Sequence, residues 1–280
     1  AGFAAVMDKG HLMLTFNRFA IDIAHYHWFG RPSWHPLLNN ISLEVHPGEL
    51  VALVGSSGEG KSLLLQSTLG LLPDNMRCRG EIWLDGQCLS DADKIDQRGK
   101  ALCYVPQGVS ALNPLIKVGP QLQRAGQLSG SALGLEDVAR QLQHYNLQPE
   151  LVDAYPRRLS GGMAKRVLAS GAALSHARYI LADEITSWLD DEHACQLLDH
   201  FKSLCLQGRG VLWVTHDLAL AARFADTIAV LHHGELHETV SAQALRDNRG
   251  SPWLQSLWAA LPEQQFIHRQ VPQPECSPHA

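Results

Sequence analysis

No stretch of the chain approaches the run of about 18–20 apolar residues that a membrane-crossing helix needs, although 45% of its 280 residues are apolar. A helical span is therefore not expected. The opening residues, "AGFAAVMDKGHLMLTF", lack the basic-then-apolar layout of a secretory leader. No basic run or stripe stands out, and the formal charge is −5, which argues against a dedicated nucleic-acid binder. The six cysteines, at 78, 88, 103, 195, 205 and 276, show no paired spacing. They read as reduced thiols of a cytosolic protein rather than a disulfide framework. No internal repeat is visible. What remains is a chain long and apolar enough for one large α/β domain, or two small ones, around a proper core.

The hydrophobic pattern supports the first option. "LMLTFNRFAIDIA" (12–24) alternates as strands do, and "LLNNISLEVHPGELVALVG" adds a strand, a "PGE" turn and a buried strand, "LVALV". "KSLLLQSTLGLL" has helical length and spacing and is expected to run until Pro73. "RGEIWLDGQCL" reads as a hairpin around Asp85 and Gly86. From about 110 to 172 the chain turns helical and more polar, as an inserted helical subdomain would. Strand–helix alternation then resumes with "YILADE", "GVLWVTH" and "TIAVLHHGELHE". Such alternation predicts a mostly parallel sheet covered on both faces. The main unit is placed at 12–250, with a C-terminal helix and Pro-rich tail over 251–280.

"GSSGEGKS", Gly55 to Ser62, stands between the "LVALV" strand and the "SLLLQSTL" helix. This is the G-x-x-x-x-G-K-[ST] pattern in the strand–loop–helix setting it requires. Glycines let successive backbone N–H groups turn inward on phosphate oxygens, and the helix start adds about half a positive charge. The loop, Gly55, Ser56, Ser57, Gly58, Glu59 and Gly60, is thus predicted to bind a nucleoside triphosphate. Lys61 is expected to reach its β- and γ-phosphates and the Ser62 hydroxyl to ligate Mg²⁺.

"YILADE" ends an apolar run with Asp183 and Glu184. In a parallel sheet the carboxyl ends of strands face the ligand crevice, and adjacent side chains there diverge. Asp183 is assigned to the Mg²⁺ shell and Glu184 to polarising the attacking water. His216 ends "LWVTH" and is expected to contact the γ-phosphate. Gln107, after "LCYVP", is a neutral amide at a fourth strand end, placed to bind Mg²⁺ or the lytic water. "LSGGM" (159–163) puts two glycines after a serine at the start of a helix, a second place suited to an anion.

With "GSSGEGKS", "YVPQ", "LSGGM", "ILADE", "SWLD" and "TH" in this order, the chain resembles the ATP-binding cassette ATPases over nearly its whole length. The resemblance implies a P-loop core with an antiparallel β subdomain and the inserted helical subdomain. It implies ATP with Mg²⁺ as the ligand. It also implies that two cassettes pack head to tail, so that Ser160, Gly161 and Gly162 cap the nucleotide of the partner. Asp190 then belongs to the D-loop between the two subunits. Of the aromatics in "HYHWFG", Trp28 best fits the spacing of the ring that stacks on adenine, with Tyr26 and Phe29 as the other candidates.

"ALNPL" after Gln107 and the late "SPWLQSLWAALP" resemble the oligopeptide, dipeptide and nickel importer branch, and Met163 in the signature fits its nickel-type members. The resemblance implies a second, different ATPase chain, two membrane permease subunits and, indirectly, an extracytoplasmic binding protein. It places the chain peripherally on the cytoplasmic face of the cell membrane. Peptide, nickel and metal-chelate cargo all stay open. Some members carry a C-terminal cysteine cluster; only Cys276 lies beyond the helix here, so no iron–sulfur cluster is expected. Four positions depart from the pattern: Met163 for Gln, Leu63 for a hydroxyl residue, Ile185 for Pro and bulky Trp188 for a small residue. The fifteen histidines, including 25, 27 and 35 and again 232, 233 and 237, are read as surface residues rather than a metal site. A soluble cassette acting on ribosomes or DNA is disfavoured by the single P-loop and the absence of a heptad run. A weakly hydrolysing regulatory cassette is disfavoured by Glu184 and His216.

Overall fold

The computed structural model describes residues 12–26 and 32–261. In chain order, β1 (Leu14–His25) and β2 (Ser33–Val45) lead to β3 (Leu50–Val54) and α1 (Lys61–Thr68). Then come β4 (Met76–Leu84), β5 (Gln87–Cys88), α2 (Asp91–Gln97) and β6 (Leu102–Val105). Three helices follow: α3 (Val118–Leu128), α4 (Leu135–His144) and α5 (Gly161–Leu174). The chain next alternates through β7 (Tyr179–Asp183), α6 (Asp191–Leu206), β8 (Gly210–Thr215), α7 (Leu218–Phe224) and β9 (Thr227–His232). It finishes with β10 (Glu235–Ser241), α8 (Ala242–Arg246) and α9 (Pro252–Ala259).

Two sheets result. The larger has the order β10-β9-β3-β8-β7-β6, parallel except for β10 at its edge. Every residue of β3, β7 and β8 is buried, as expected of parallel strands covered on both faces. Alternation along β3 divides the core. Leu50, Ala52 and Val54 pack with α6 and α7 residues such as Phe201 and Ala221. Val51 and Leu53 pack with Leu64 and Leu65 of α1 and with the second sheet. That second sheet is antiparallel, with the order β2-β1-β4-β5. This is the α/β architecture predicted from the sequence, with a mostly parallel core, an antiparallel sheet and a helical insertion.

One charged group is buried in the antiparallel sheet. Asp22 of β1 is 3% exposed and accepts from Arg79 Nε and Nη2 and from Arg77 Nε, each at 3.0 Å. Arg79, then Arg77, hold its carboxyl below the usual range against the opposing effect of burial.

α1 is shorter than its apolar spacing predicts. It ends before Leu69, well short of Pro73, because Gly70 takes a left-handed turn at φ 61°. Leu71 N–H returns to the Gln66 carbonyl and Gly70 N–H to Ser67, a helix stop that only a glycine adopts without strain. In α3 and α4 the pairs Val118/Leu122 and Val138/Leu142 are buried four residues apart, so one stripe of each helix joins the core beside α5.

Candidate functional site

The parallel register brings four strand ends together. β3 pairs with β8, β8 with β7, and β7 with β6, each in step. The segments that leave these ends are the loop starting at Gly55, His216, the Asp183–Glu184 pair and Gln107. This is the carboxyl edge where open α/β sheets bind ligands.

The loop from Gly55 to Gly60 is shaped by its own backbone. A Cβ on Gly55 would collide with the Glu59 carboxylate and lie 2.7 Å from the Leu231 carbonyl, so no side chain fits there. Gly58 and Gly60 have φ near 86° and 87°, and Gly60 caps α1. Glu59 folds back to accept from Ser56 N–H at 2.9 Å and lies 3.6 Å from His232 Nδ1. Ser57 is exposed at the loop tip. Lys61 is buried and donates to the carbonyls of Gly55 at 2.8 Å and Ser56 at 2.6 Å. Burial draws its pKa down, opposed by the carboxylates of Glu184, Glu59 and Asp183. The ammonium and the helix start therefore share one concave loop, an arrangement suited to phosphate oxygens.

Ser62 donates to Asp183 Oδ1 at 2.8 Å, and Tyr104 donates to Oδ2 at 3.0 Å. Desolvation pushes the Asp183 carboxyl up, which those two hydrogen bonds partly offset. A hydroxyl and a buried carboxylate side by side are the hard oxygen donors that Mg²⁺ accepts. Among the described residues no group of three or more His, Cys, Asp or Glu could hold a metal ion, so a cation here would complete its shell from phosphate and water. The residues present fit Mg²⁺ on that basis. A cavity of about 380 Å³ opens in front of them, lined by Ser62, Asp183, Tyr104 and Gln107 among others.

Glu184 collects the remaining side chains. Gln107 donates to its Oε2 at 2.6 Å, Ser187 Oγ lies 3.1 Å from the same oxygen, and His216 Nδ1 is 3.7 Å from Oε1. Gln107, expected to bind Mg²⁺ or the lytic water, thus bonds to the carboxylate beside Asp183. The Glu184 backbone is left-handed at φ 41°, a conformation costly for a side chain with a Cβ. Its carbonyl accepts from Lys165 Nζ at 2.9 Å and from Ser187 Oγ at 2.9 Å.

The signature loop, "LSGGM" (159–163), lies at the start of α5. Ser160 caps the helix, accepting from Met163 N–H at 3.3 Å, and both Ser160 and Gly161 are exposed. A Cβ on Gly161 would meet nothing, and one on Gly162 would sit 3.2 Å from Leu189. Trp188 precedes that leucine with φ 67° and 90% of its surface exposed. Asp190 caps α6, accepting from His193 N–H at 2.9 Å. Trp28 and Cys276 lie outside the described residues; Tyr26 is exposed. The later histidines gather around Trp253, with His232 and His237 rings 5.0 and 4.6 Å from it.

Sequence reasoning did not find Tyr104 or Lys165. Tyr104 carried one weak signal, a position in the same strand end as Gln107. Lys165 carried none, being a basic residue in a helix of mixed composition.

Known proteins complete this picture. The family model described as ABC transporter matches residues 38–187. The oligopeptide transport ATP-binding protein OppD of Lactococcus lactis subsp. cremoris is 32% identical over 246 residues, covering 81% of this chain and 71% of that protein. The protein of the same name from Mycobacterium tuberculosis is 35% identical over 236 residues, covering 80% of this chain but 39% of the relative. The chain thus spans about two fifths of the mycobacterial relative's length. A solved ATP-binding subunit of an ABC transporter superposes with a TM-score of 0.71 at 24% identity, covering 91% of this chain and 98% of that one. A dimeric bacterial ABC transporter cassette gives 0.70 at 26% identity, covering 82% and 98%. An ATP-binding cassette is the class this fold and site define. The chain belongs to the ABC transporter family, on its oligopeptide branch.

Proposed function

We propose that this chain is the ATP-hydrolysing subunit of an importer, with residues 12–250 as the ATPase unit and 251–280 as an appended helix and tail. The observation that carries the reading is the convergence of Gln107 and His216 on Glu184 while Ser62 holds Asp183 beside it. The loop 55–60 and Lys61 bind the phosphates of ATP. Ser62 and Asp183 hold Mg²⁺, which neutralises charge on the β- and γ-phosphates when bound. Glu184 accepts the proton of the attacking water. Gln107 orients that water and the carboxylate, and His216, exposed at the end of β8, reaches the γ-phosphate.

Ser160, Gly161 and Gly162 complete the site of a second cassette, because they face outward with room for a close approach. The dimeric cassette among the similar structures supports such pairing. The partner is a different ATPase chain, and the pair drives two membrane permease subunits from the cytoplasmic face of the membrane. An extracytoplasmic binding protein delivers the cargo. Short peptides are the favoured cargo, since the relatives are named as oligopeptide transport proteins.

The test is the mass in solution of Glu184→Gln with Mg-ATP, with its ATP turnover measured beside the unaltered protein. Slow hydrolysis with retained ATP binding is expected, and the variant stays monomeric unless its partner cassette is added. Dimerisation of the variant alone would assign the cap to a second copy of the same chain. Undiminished turnover would overturn the role of Glu184.

A further inference from the structure

The signature helix carries a buried cation that the proposed mechanism leaves idle. Lys165 is 5% exposed, and its Nζ donates at 2.9 Å to the main-chain carbonyl of Glu184. An ammonium removed from water is costly unless its surroundings compensate it. Here desolvation lowers its pKa, and the nearby carboxylates of Glu184 and Asp183 oppose that effect. The direct acceptor is nevertheless a neutral carbonyl, so the side chain holds a peptide group rather than a carboxylate.

That peptide group is strained. Glu184 sits at φ 41°, its N–H donates to the Val214 carbonyl at 3.0 Å, and its own carbonyl has left the β7–β8 ladder. Three donors hold the carbonyl: Ser187 N–H at 3.1 Å, Ser187 Oγ at 2.9 Å and Lys165 Nζ. The two from Ser187 belong to the same turn and move with it. Lys165 alone of the three reaches in from another element.

We propose that Lys165 is a positioning residue: it fixes the Glu184 backbone in the left-handed conformation that aims the carboxylate at Gln107 and His216. The inference rests on the reading of Glu184 as the base. It also gives the signature helix a direct hold on the backbone that carries the catalytic carboxylate of its own subunit. Lys165 lies five residues beyond Ser160, about 7.5 Å along one rigid helix. Movement of the Ser160–Gly162 end against a partner's nucleotide is therefore felt at the Glu184 peptide.

The test compares Lys165→Met, which keeps length and packing without a donor, with Lys165→Gln, which keeps an N–H on a shorter side chain. Each is made alone and combined with Glu184→Gln, in the full chain and in the assembly that gives the unaltered protein its turnover. Misplacing a reacting group by about 1 Å costs roughly 100-fold, so Lys165→Met should lower kcat about 10- to 100-fold with KM for ATP within about twofold. Lys165→Gln should regain about fivefold or more of that loss. On the Glu184→Gln background, Lys165→Met should add less than about twofold, because both act through one carboxylate.

Unchanged kcat in Lys165→Met would overturn the proposal. So would a rise in KM without loss of kcat, or a full further loss on the Glu184→Gln background. If Lys165→Met does not fold, Lys165→Leu, which also lacks a donor, is held to the same criteria alone and combined with Glu184→Gln. Normal turnover of Glu184→Gln alone, by contrast, would sink the base assignment whatever the Lys165 variants do.

Discussion

Two glycine-bearing loops stand at helix starts in this chain, and their surroundings differ. In the loop 55–60 the groups are already engaged with their own fold: Lys61 with the Gly55 and Ser56 carbonyls, and Glu59 with Ser56 N–H. In 160–162 the backbone borders open space: a Cβ on Gly161 would meet nothing within 4 Å, and one on Gly162 would meet only Leu189. On the function proposed above, the first loop is built around a ligand that the chain holds by itself, and the second is a surface whose ligand arrives on another cassette. One subunit would then carry parts of two sites, and each set of residues should fail in its own way when altered.

The largest expected effect is at the first site. Glu184→Gln should cut kcat by about 10²–10⁴, the usual contribution of a general base, while ATP affinity holds; steady-state turnover beside equilibrium binding reads both. Lys61→Ala removes the one ammonium in the cradle. Loss of a charged hydrogen bond worth about 2–3 kcal/mol should weaken nucleotide binding about 30- to 150-fold, and near-normal affinity by calorimetry would refute the cradle reading.

Asp22→Asn lies away from both loops and serves as their control. It should lower unfolding free energy by about 2 kcal/mol, below the range for fully buried pairs because its arginines are half exposed. Denaturant midpoints measure that loss, and ATP affinity should stay put. The folded carboxyl titrates below its ordinary value. Its contribution is thus complete above about pH 4 and disappears as pH falls through the lower folded pKa. A midpoint gap between variant and parent that closes only in strong acid is the expected signature.

The smallest effect should come from the second loop. Gly161→Val should slow turnover roughly tenfold by spoiling a close approach, yet leave ATP binding to the isolated chain intact. Equal losses of binding and turnover would mean that the loop serves its own nucleotide, and the contrast between the loops would collapse.

Sequence made the first loop legible because the motif is local: four fixed residues with a strand before and a helix after carry the geometry with them. The strand ends at Asp183, Glu184 and His216 were legible for a related reason, since a buried apolar run that stops on a polar residue marks the edge of a parallel sheet. Contacts made by folding were not legible. Tyr104 meets Asp183 across 79 residues of chain, and Lys165 meets the Glu184 carbonyl across 19. Nothing in the composition around either residue announces its partner. The end of α1 differs from expectation for the opposite reason. Pro73 is the louder stop signal, but Gly70 adopts the left-handed turn first, and the helix closes there.

Trp188 has an optical consequence. An indole with 90% of its surface in water emits towards the red and is open to quenchers, whereas the fully buried Trp213 is shielded from both. The chain thus has its own fluorescent reporter on the segment beside Leu189 and the signature glycines. Covering that segment would shift the emission to shorter wavelength and protect it from iodide. Assembly could then be followed in real time, without a label and without waiting for phosphate release.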